Sequence, residues 1–180
     1  MKGKVPHADI VIGVCTKNCE KTIHNVIRTV DEGLSRFCPD NNCLIIVSDL
    51  SDDETEKKVR ETDTKNPVYF TRQDGGPGKG NGIKTIFRLA QEAGAKAIAL
   101  VDGDLTSIKP EWIKSLLEPI EKGFDLAVPY YERHKYDSVI TNHLIYPFVA
   151  SLYGTEVRQP IGGEFGLSIK LVRKLMKHPM

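Results

Sequence analysis

Four apolar runs, each leading into a polar turn and a helical pattern, decide what class of fold this chain can adopt. They are "ADIVIGVCT", "CLIIVSD", "PVYFT" and "AKAIALVDGD". A strand with one wet face alternates apolar and polar residues. A run that is apolar through most of its length needs cover on both faces.

That cover is present between the runs. "KNCEKTIHNVIRTVDEGLSRF" carries Ile23, Val26, Ile27, Val30 and Leu34 on one helical face. "SDDETEKKVRETD" predicts a short charged helix, with Ser51, Asp52 and Asp53 at capping positions. "RQDGGPGKGNG" reads as a loop, and "IKTIFRLAQEAG" as a helix closed by Gly94. Pro110 suits the first turn of "PEWIKSLLEPIEKG". "FDLAVPYY" predicts a fifth strand, and Tyr136 to Tyr153 a helix in spite of Pro147. The class is α/β: a mostly parallel, Rossmann-like sheet flanked by helices on both faces. At 180 residues the chain fits one domain spanning 1–180. "LSIKLVRKLMKHPM" starts a helix and stops, which reads as truncation at the C-terminal end.

Charge and composition exclude some partners. Lys plus Arg is 25 against 24 Asp plus Glu, so there is no basic surplus for nucleic acid. "MKGKVPHAD" turns charged before any secretory apolar region forms, and the longest apolar window, Ser138 to Tyr153, is too short for a membrane span. The expected location is cytoplasmic. Cys15, Cys19, Cys38 and Cys43 form no C-x-x-C pair, so reduced thiols are expected.

In a parallel sheet, ligands bind beyond the carboxyl ends of the strands. The polar residues of this chain gather there. Thr16 and Lys17 follow strand one, Asp49 strand two, and "QDGGPGKGNG" strand three; Asp102-Gly103-Asp104 follows strand four. Two aspartates around a glycine can converge on a divalent cation, which Mg²⁺ or Mn²⁺ shares with diphosphate oxygens. The "GKG" segment lacks the spacing of a P-loop. Its glycines still let main chain approach phosphate, with Lys79 adding charge. Thr16, Asp49, Lys79, Gly80, Asp102 and Gly103 are therefore candidate contacts to a nucleotide, and Asp102 and Asp104 to metal. Arg133, Asp137 and Thr141 make a plausible cradle for a small hydroxy acid. Gly162 and Gly163 could admit a sugar close to the main chain, with Glu164 on a sugar hydroxyl.

In order and spacing, "IVIGVCTKN", "IIVSDLSDDET", the "GKG" loop, "VDGD" and "QPIGGE" resemble the GT-A glycosyltransferases, family-2-like. "RHKYDSVIT…QPIGGE" is most similar to the retaining enzymes that make mannosylglycerate and glucosyl-3-phosphoglycerate. The resemblance implies a metal-dependent retaining enzyme. It would move a hexose from a UDP- or GDP-sugar to glycerate or a similar hydroxy acid, with Mg²⁺ or Mn²⁺ as cofactor. It implies that Asp49 reads the base, Lys79 meets the diphosphate, Asp102 meets ribose or metal, and Asp104 binds the metal. Lys79, Asp102, Asp104 and Glu164 would form the catalytic group. Arg133, Asp137 and Thr141 would bind the acceptor, and main chain at Ile161, Gly162 and Gly163 would lie by the reacting sugar. Val139 and Ile140 stand where the phosphoglycerate enzymes carry a basic residue, which favours an unphosphorylated acceptor. The family also has a further metal-binding histidine, for which His178 is the candidate here. Alternatives are a binding module without catalysis and a transferase to polyprenol phosphate. A homo-oligomer is compatible with either.

Overall fold

The computed structural model describes residues 4–131, 138–159 and 161–178. Strands β1 (Ile10–Thr16), β2 (Cys43–Asp49), β3 (Val68–Arg72) and β4 (Ala97–Asp102) form where the apolar runs predict them. Helices α1 (Ile23–Phe37), α2 (Thr55–Glu61), α3 (Lys79–Ala93) and α4 (Glu111–Glu121) connect or follow them. β5 (Leu126–Ala127), a π-helical segment (Ile140–Ile145), α5 (Tyr146–Tyr153), β6 (Phe165–Ser168) and α6 (Ile169–Leu175) complete the order.

Among the described residues, six strands lie in the order β3-β2-β1-β4-β6-β5. β1 to β4 are parallel, whereas β6 runs antiparallel to both β4 and β5. Two apolar layers explain the uninterrupted runs. Ile10, Ile12 and Val14 pack with α1 and α4 on one face. Val11, Leu44 and Ile46 pack with α3 and α6 on the other. β2 is buried at every position, so this strand alone removes several large side chains from water at about 1.5–3 kcal/mol each.

Four expectations need correction. The apolar runs do not foretell β6, which is four residues long, too short for a periodicity to show. The fifth strand shrinks to Leu126–Ala127, because its partner β6 offers so few residues and Pro129 has no N–H to give. The helix expected over 136–153 is described from Val139 and starts as a π turn, with Tyr136 and Asp137 outside the described residues. α3 begins at Lys79, four residues before the predicted start, so Lys79 and Gly80 belong to its first turn. The side chains of Gln73 and Asn81 both donate to the Gly76 carbonyl, at 2.6 and 2.9 Å. The backbone N–H of Asp74 donates to Thr85 Oγ1 at 2.8 Å. These bonds tie the loop to the helix start and offset the cost of its glycines. Gly94 ends α3 in the left-handed region, φ 82°, as predicted.

Candidate functional site

The register sets the floor of the site. Thr16, Asp49 and Arg72 stand side by side at the carboxyl edge of β1, β2 and β3, and Cys15 is level with Asp102. Above this row opens a cleft of about 380 Å³ whose walls include Thr16, Lys17, Gln73, Lys79, Asp102 and Asp104.

The Asp-Gly-Asp tip is folded against β1. Gly103 N–H donates to the Cys15 carbonyl at 3.1 Å, and the Gly103 carbonyl accepts from Thr22 Oγ1 at 2.8 Å. A Cβ at 103 would come within 2.6 Å of Thr16 Cγ2, so only glycine fits. Asp104 is thereby held at the exposed rim while Asp102 stays half-buried. Lys79 reaches across from α3, its Nζ 2.5 Å from Asp102 Oδ1. Gly163 closes the third side: a side chain there would collide with the Asp102 carboxylate and come within 3.3 Å of Lys79 Nζ. The first turn of α3 contains no acidic residue, and Gly78 gives it no side-chain cap. That helix end can therefore receive an anion on its N–H groups, beside an ammonium.

Asp49 sits behind this wall, not in it. Its carboxylate is fully buried and accepts from Thr16 Oγ1 (2.7 Å), Ser51 Oγ (2.5 Å), Ser51 N–H (3.1 Å) and Arg72 (2.5 Å). A carboxylate has about four acceptor positions, and these bonds use them. The geometry makes Asp49 the junction of three strand ends; it does not aim a free oxygen at a base. Ser51 and Asp53 likewise act as cross-braces instead of simple caps. Ser51 Oγ accepts from Asn18 N–H at 2.8 Å, and Asp53 accepts from Glu20 N–H at 3.2 Å and Thr55 N–H at 2.9 Å. Asp52 is exposed, its N–H donating to Asn18 Oδ1 at 3.1 Å.

Glu164 is buried, and its carboxylate accepts from the Tyr131 hydroxyl. It faces a second cavity of about 420 Å³, between α4 and β5, where the Trp112 and Tyr131 rings lie 5.7 Å apart. Gly163 thus abuts the Asp102 carboxylate, while Glu164, the next residue, lines the second cavity. Ile161 is exposed, with its carbonyl accepting from Gln159 Nε2 at 2.5 Å, and Gly162 is half-buried beside it. Thr141 is buried in the π turn. Arg133 and Asp137 lie outside the described residues. His178 is exposed at the end of α6, and among the described residues no third His, Cys, Asp or Glu joins Asp102 and Asp104. Two carboxylates on a cleft still fit Mg²⁺ or Mn²⁺, since such ions take further oxygens from phosphate and water.

Sequence reasoning passes over Arg72, Gln73, Cys15 and Tyr131. Gln73 stands directly after β3 and answers to the same strand-tip rule that selects Thr16. Arg72 becomes visible only through its register with Asp49. Burial, opposed by Lys79, pushes the Cys15 thiol up to about 12, so it lines the cleft as a neutral group. All four cysteines are free thiols. Among the described residues no helix is long and apolar enough to cross a membrane.

Comparison with known proteins places this geometry. The chain is 36% identical over 93 residues to the mannosylglycerate synthase of Rhodothermus marinus, a match covering 49% of this chain and 23% of that protein. It is 23% identical to the dolichol-phosphate mannosyltransferase of Pyrococcus furiosus, covering 92% of this chain and 47% of that one. The chain thus spans about half the length, or less, of these curated relatives. Among solved structures, glucosyl-3-phosphoglycerate synthase from Mycobacterium tuberculosis superposes with a TM-score of 0.68 at 23% identity. That structure, a complex with Mn²⁺, UDP and phosphoglyceric acid, is matched over 91% of this chain and 57% of its own. The same synthase in complex with Mg²⁺ and UDP gives a TM-score of 0.66. The fold is GT-A, Rossmann-like. The profile of the family described as glycosyl transferase family 2 matches residues 11–172, nearly the whole sheet and its helices, and the chain belongs to that family.

Proposed function

We propose that this domain transfers a hexose from a UDP- or GDP-sugar to glycerate or a similar small hydroxy acid, with retention and with a divalent metal. The observation that carries the reading is the Lys79–Asp102 pair at 2.5 Å, closed by Gly163 and flanked by exposed Asp104. Asp102 and Asp104 would hold the cation. When bound, it supplies Lewis-acid neutralisation of charge on the departing diphosphate.

The chain's own groups do the rest. Lys79 and the N–H groups opening α3 face the diphosphate and stabilise the negative charge that grows as the glycosidic C–O bond breaks. Gly163 leaves room for the sugar against the main chain. Glu164 is engaged with the Tyr131 hydroxyl and lines the second cavity, so its carboxylate is not free to act as a nucleophile. This supports attack by the acceptor hydroxyl on the same face as the leaving group. The hydroxyl forms the new C–O bond to the anomeric carbon, and its proton passes to the departing phosphate oxygen. Thr141 together with Arg133 and Asp137 is the proposed acceptor contact.

The test is a thermal-shift and turnover screen of UDP- and GDP-sugars with Mg²⁺ or Mn²⁺ and glycerate. A melting-point rise that needs both metal and nucleotide, and that vanishes in Asp104→Ala, is expected, together with transfer to glycerate. A rise independent of metal and unchanged in Asp104→Ala refutes the site. Binding without transfer points to a binding module, and transfer to polyprenol phosphate instead reassigns the acceptor.

A further inference from the structure

Cys38 and Cys43 bracket the connection from α1 to β2, "CPDNNC". The residues between them are exposed, and the two cysteines are buried, each at 5% exposure. The connection is braced at both ends. Cys38 N–H donates to the Leu34 carbonyl at 2.9 Å, closing α1, and Asn41 N–H donates to the Cys38 carbonyl at 3.2 Å. The Asn42 side-chain amide donates to Asp9 Oδ2 at 3.2 Å, and the Asn42 carbonyl accepts from Asp9 N–H at 2.7 Å. The turn folds one thiol against the other. Cys43 Sγ lies 3.9 Å from the Cys38 carbonyl, and the two thiols are hydrogen-bonded to each other. No group of three His, Cys, Asp or Glu forms here among the described residues, so the pair is not a metal site.

The two thiols are not equivalent. Cys38 stands in the wall of a cavity of about 230 Å³ with Phe37, Lys114, Leu117, Glu118 and Glu121, and Cys43 does not reach that wall. The pair therefore has an outer and an inner member. The hydrogen bond sets their charges apart. Donation from the Cys43 thiol draws Cys38 below the ordinary thiol range, opposed by burial and by Glu121. The same bond, then burial, pushes Cys43 up, with Asp9 adding to the effect. Lys114 adds positive charge beside the outer thiol, and Glu118 is occupied by Lys122 at 2.7 Å. Burial pushes Cys15 and Cys19 up instead. The thiolate is the nucleophilic form, so the outer member of this pair is the reactive one of the four.

We propose that Cys38 is an oxidation site for hydroperoxides that enter this cavity, with Cys43 as its resolving thiol. The Cys38 thiolate attacks one oxygen of the peroxide. The S–O bond forms as the O–O bond breaks, and the departing oxyanion takes up a proton to leave as an alcohol, or as water from hydrogen peroxide. Cys43 Sγ then attacks the Cys38 sulfur. The S–S bond forms as the S–O bond breaks, and the sulfenic oxygen leaves as water with the Cys43 proton. Two thiols lose two electrons and two protons, and the peroxide gains both. The disulfide fastens the end of α1 to the first residue of β2, at the opposite edge of the sheet from the cleft. The inference does not depend on the proposed transfer chemistry.

The test is mass spectrometry of the full chain, reduced, freed of reductant and treated with hydrogen peroxide. Remaining thiols are blocked with N-ethylmaleimide in denaturant. Trypsin cuts after Arg36 and Lys57, so one peptide, Phe37–Lys57, holds both cysteines. That peptide should carry no maleimide and weigh about 2 Da less than its reduced, unblocked form, for the two hydrogens removed. Dithiothreitol should restore both adducts, and Cys15 and Cys19 should stay blocked throughout. In Cys43→Ser, whose hydroxyl can still donate, dimedone should label Cys38 as a trapped sulfenic acid. In Cys38→Ala, Cys43 should keep its adduct. A wild-type peptide that keeps both adducts under peroxide that oxidises a free cysteine peptide overturns the proposal. So does oxidation of Cys15 or Cys19 ahead of the pair, or chains cross-linked to each other on a non-reducing gel.

Discussion

Asp49 offers the clearest measurement of how the strand edge is held together. Its carboxylate is fully buried, with four donors between 2.5 and 3.1 Å, one of them the half-exposed Arg72 guanidinium. Hydrogen bonds to a charged group are worth about 1.5–3 kcal/mol each in isolation. Two of the donors are hydroxyls that can rotate to other partners, and Arg72 keeps Glu56 and the Ser51 carbonyl, so the sum is far from additive. Asp49→Ala removes every acceptor and leaves a small void; the expected cost is about 3 kcal/mol. Asp49→Asn keeps the size. Its amide N–H₂ can face the Thr16 and Ser51 hydroxyls, which turn to accept, while its oxygen still faces Arg72. The expected cost is about 1–1.5 kcal/mol, chiefly the lost charge. Against a total of about 5–15 kcal/mol, the alanine variant is a large loss. For a chain of this length it lowers Tm by roughly 6–12 °C, and the asparagine variant by roughly 2–6 °C. Urea unfolding followed by the fluorescence of the single tryptophan, Trp112, reads both. An alanine variant within about 0.5 kcal/mol of wild type would refute the reasoning, since only a solvated carboxylate is that dispensable. So would an asparagine variant of unchanged stability with abolished nucleotide binding, which would return Asp49 to direct reading of the base.

Gly163→Ala drives a methyl into the Asp102 carboxylate and should cost about 1–3 kcal/mol. It should also abolish the metal-dependent nucleotide shift; a wild-type shift in this variant would separate Gly163 from the site. Cys15, its thiol pushed up to about 12 by burial, holds a thiolate fraction of about one in ten thousand at pH 8. Mass spectrometry after brief iodoacetamide treatment of native protein should find it unmodified, and rapid labelling would contradict a half-buried thiol held in its neutral form. Asp125 is held below the ordinary aspartate range, first by the Ser168 hydroxyl and then by Lys170. A lowered folded value means its contribution is complete above the unfolded value and is lost as pH falls through the folded one. Asp125→Asn should therefore flatten the acid limb of the stability–pH curve, and an unaltered limb would refute the pairing.

Much of the scaffold is legible because its signals are local. Runs such as Ile10–Val14 and Leu44–Val47 announce strands covered on both faces, and Ile23, Val26, Ile27, Val30 and Leu34 announce the helix that covers them. The strand-tip rule brings Thr16, Lys79, Asp102 and Asp104 to one cleft. What escapes depends on distant neighbours. Nothing near Asp49 in sequence reveals that Arg72 lies beside it, because that fact belongs to the register of β2 and β3. Phe165–Ser168 is too brief to declare itself a strand, and it is a strand because β4 and β5 are on either side. The start of α3 is obscured for a related reason. Glycines disfavour a helix there, and the bonds from Gln73 and Asn81 to Gly76 outweigh that preference only once the loop has closed.

The antiparallel strand β6 has a consequence for the order in which the site comes into being. Asp102 ends β4, and Gly163 meets it only after about sixty intervening residues, among them α4, β5 and α5. The pairing of Leu100 with Phe165 joins residues 65 apart, against 33 for Ile10 with Cys43, so its loop-closure entropy delays it relative to the β1–β2 pairing. A nascent chain that has assembled β1 to β4 already owns both aspartates and Lys79, but its cleft stands open on one side. The wall beside Asp102 is therefore the last part of this strand edge to be put in place.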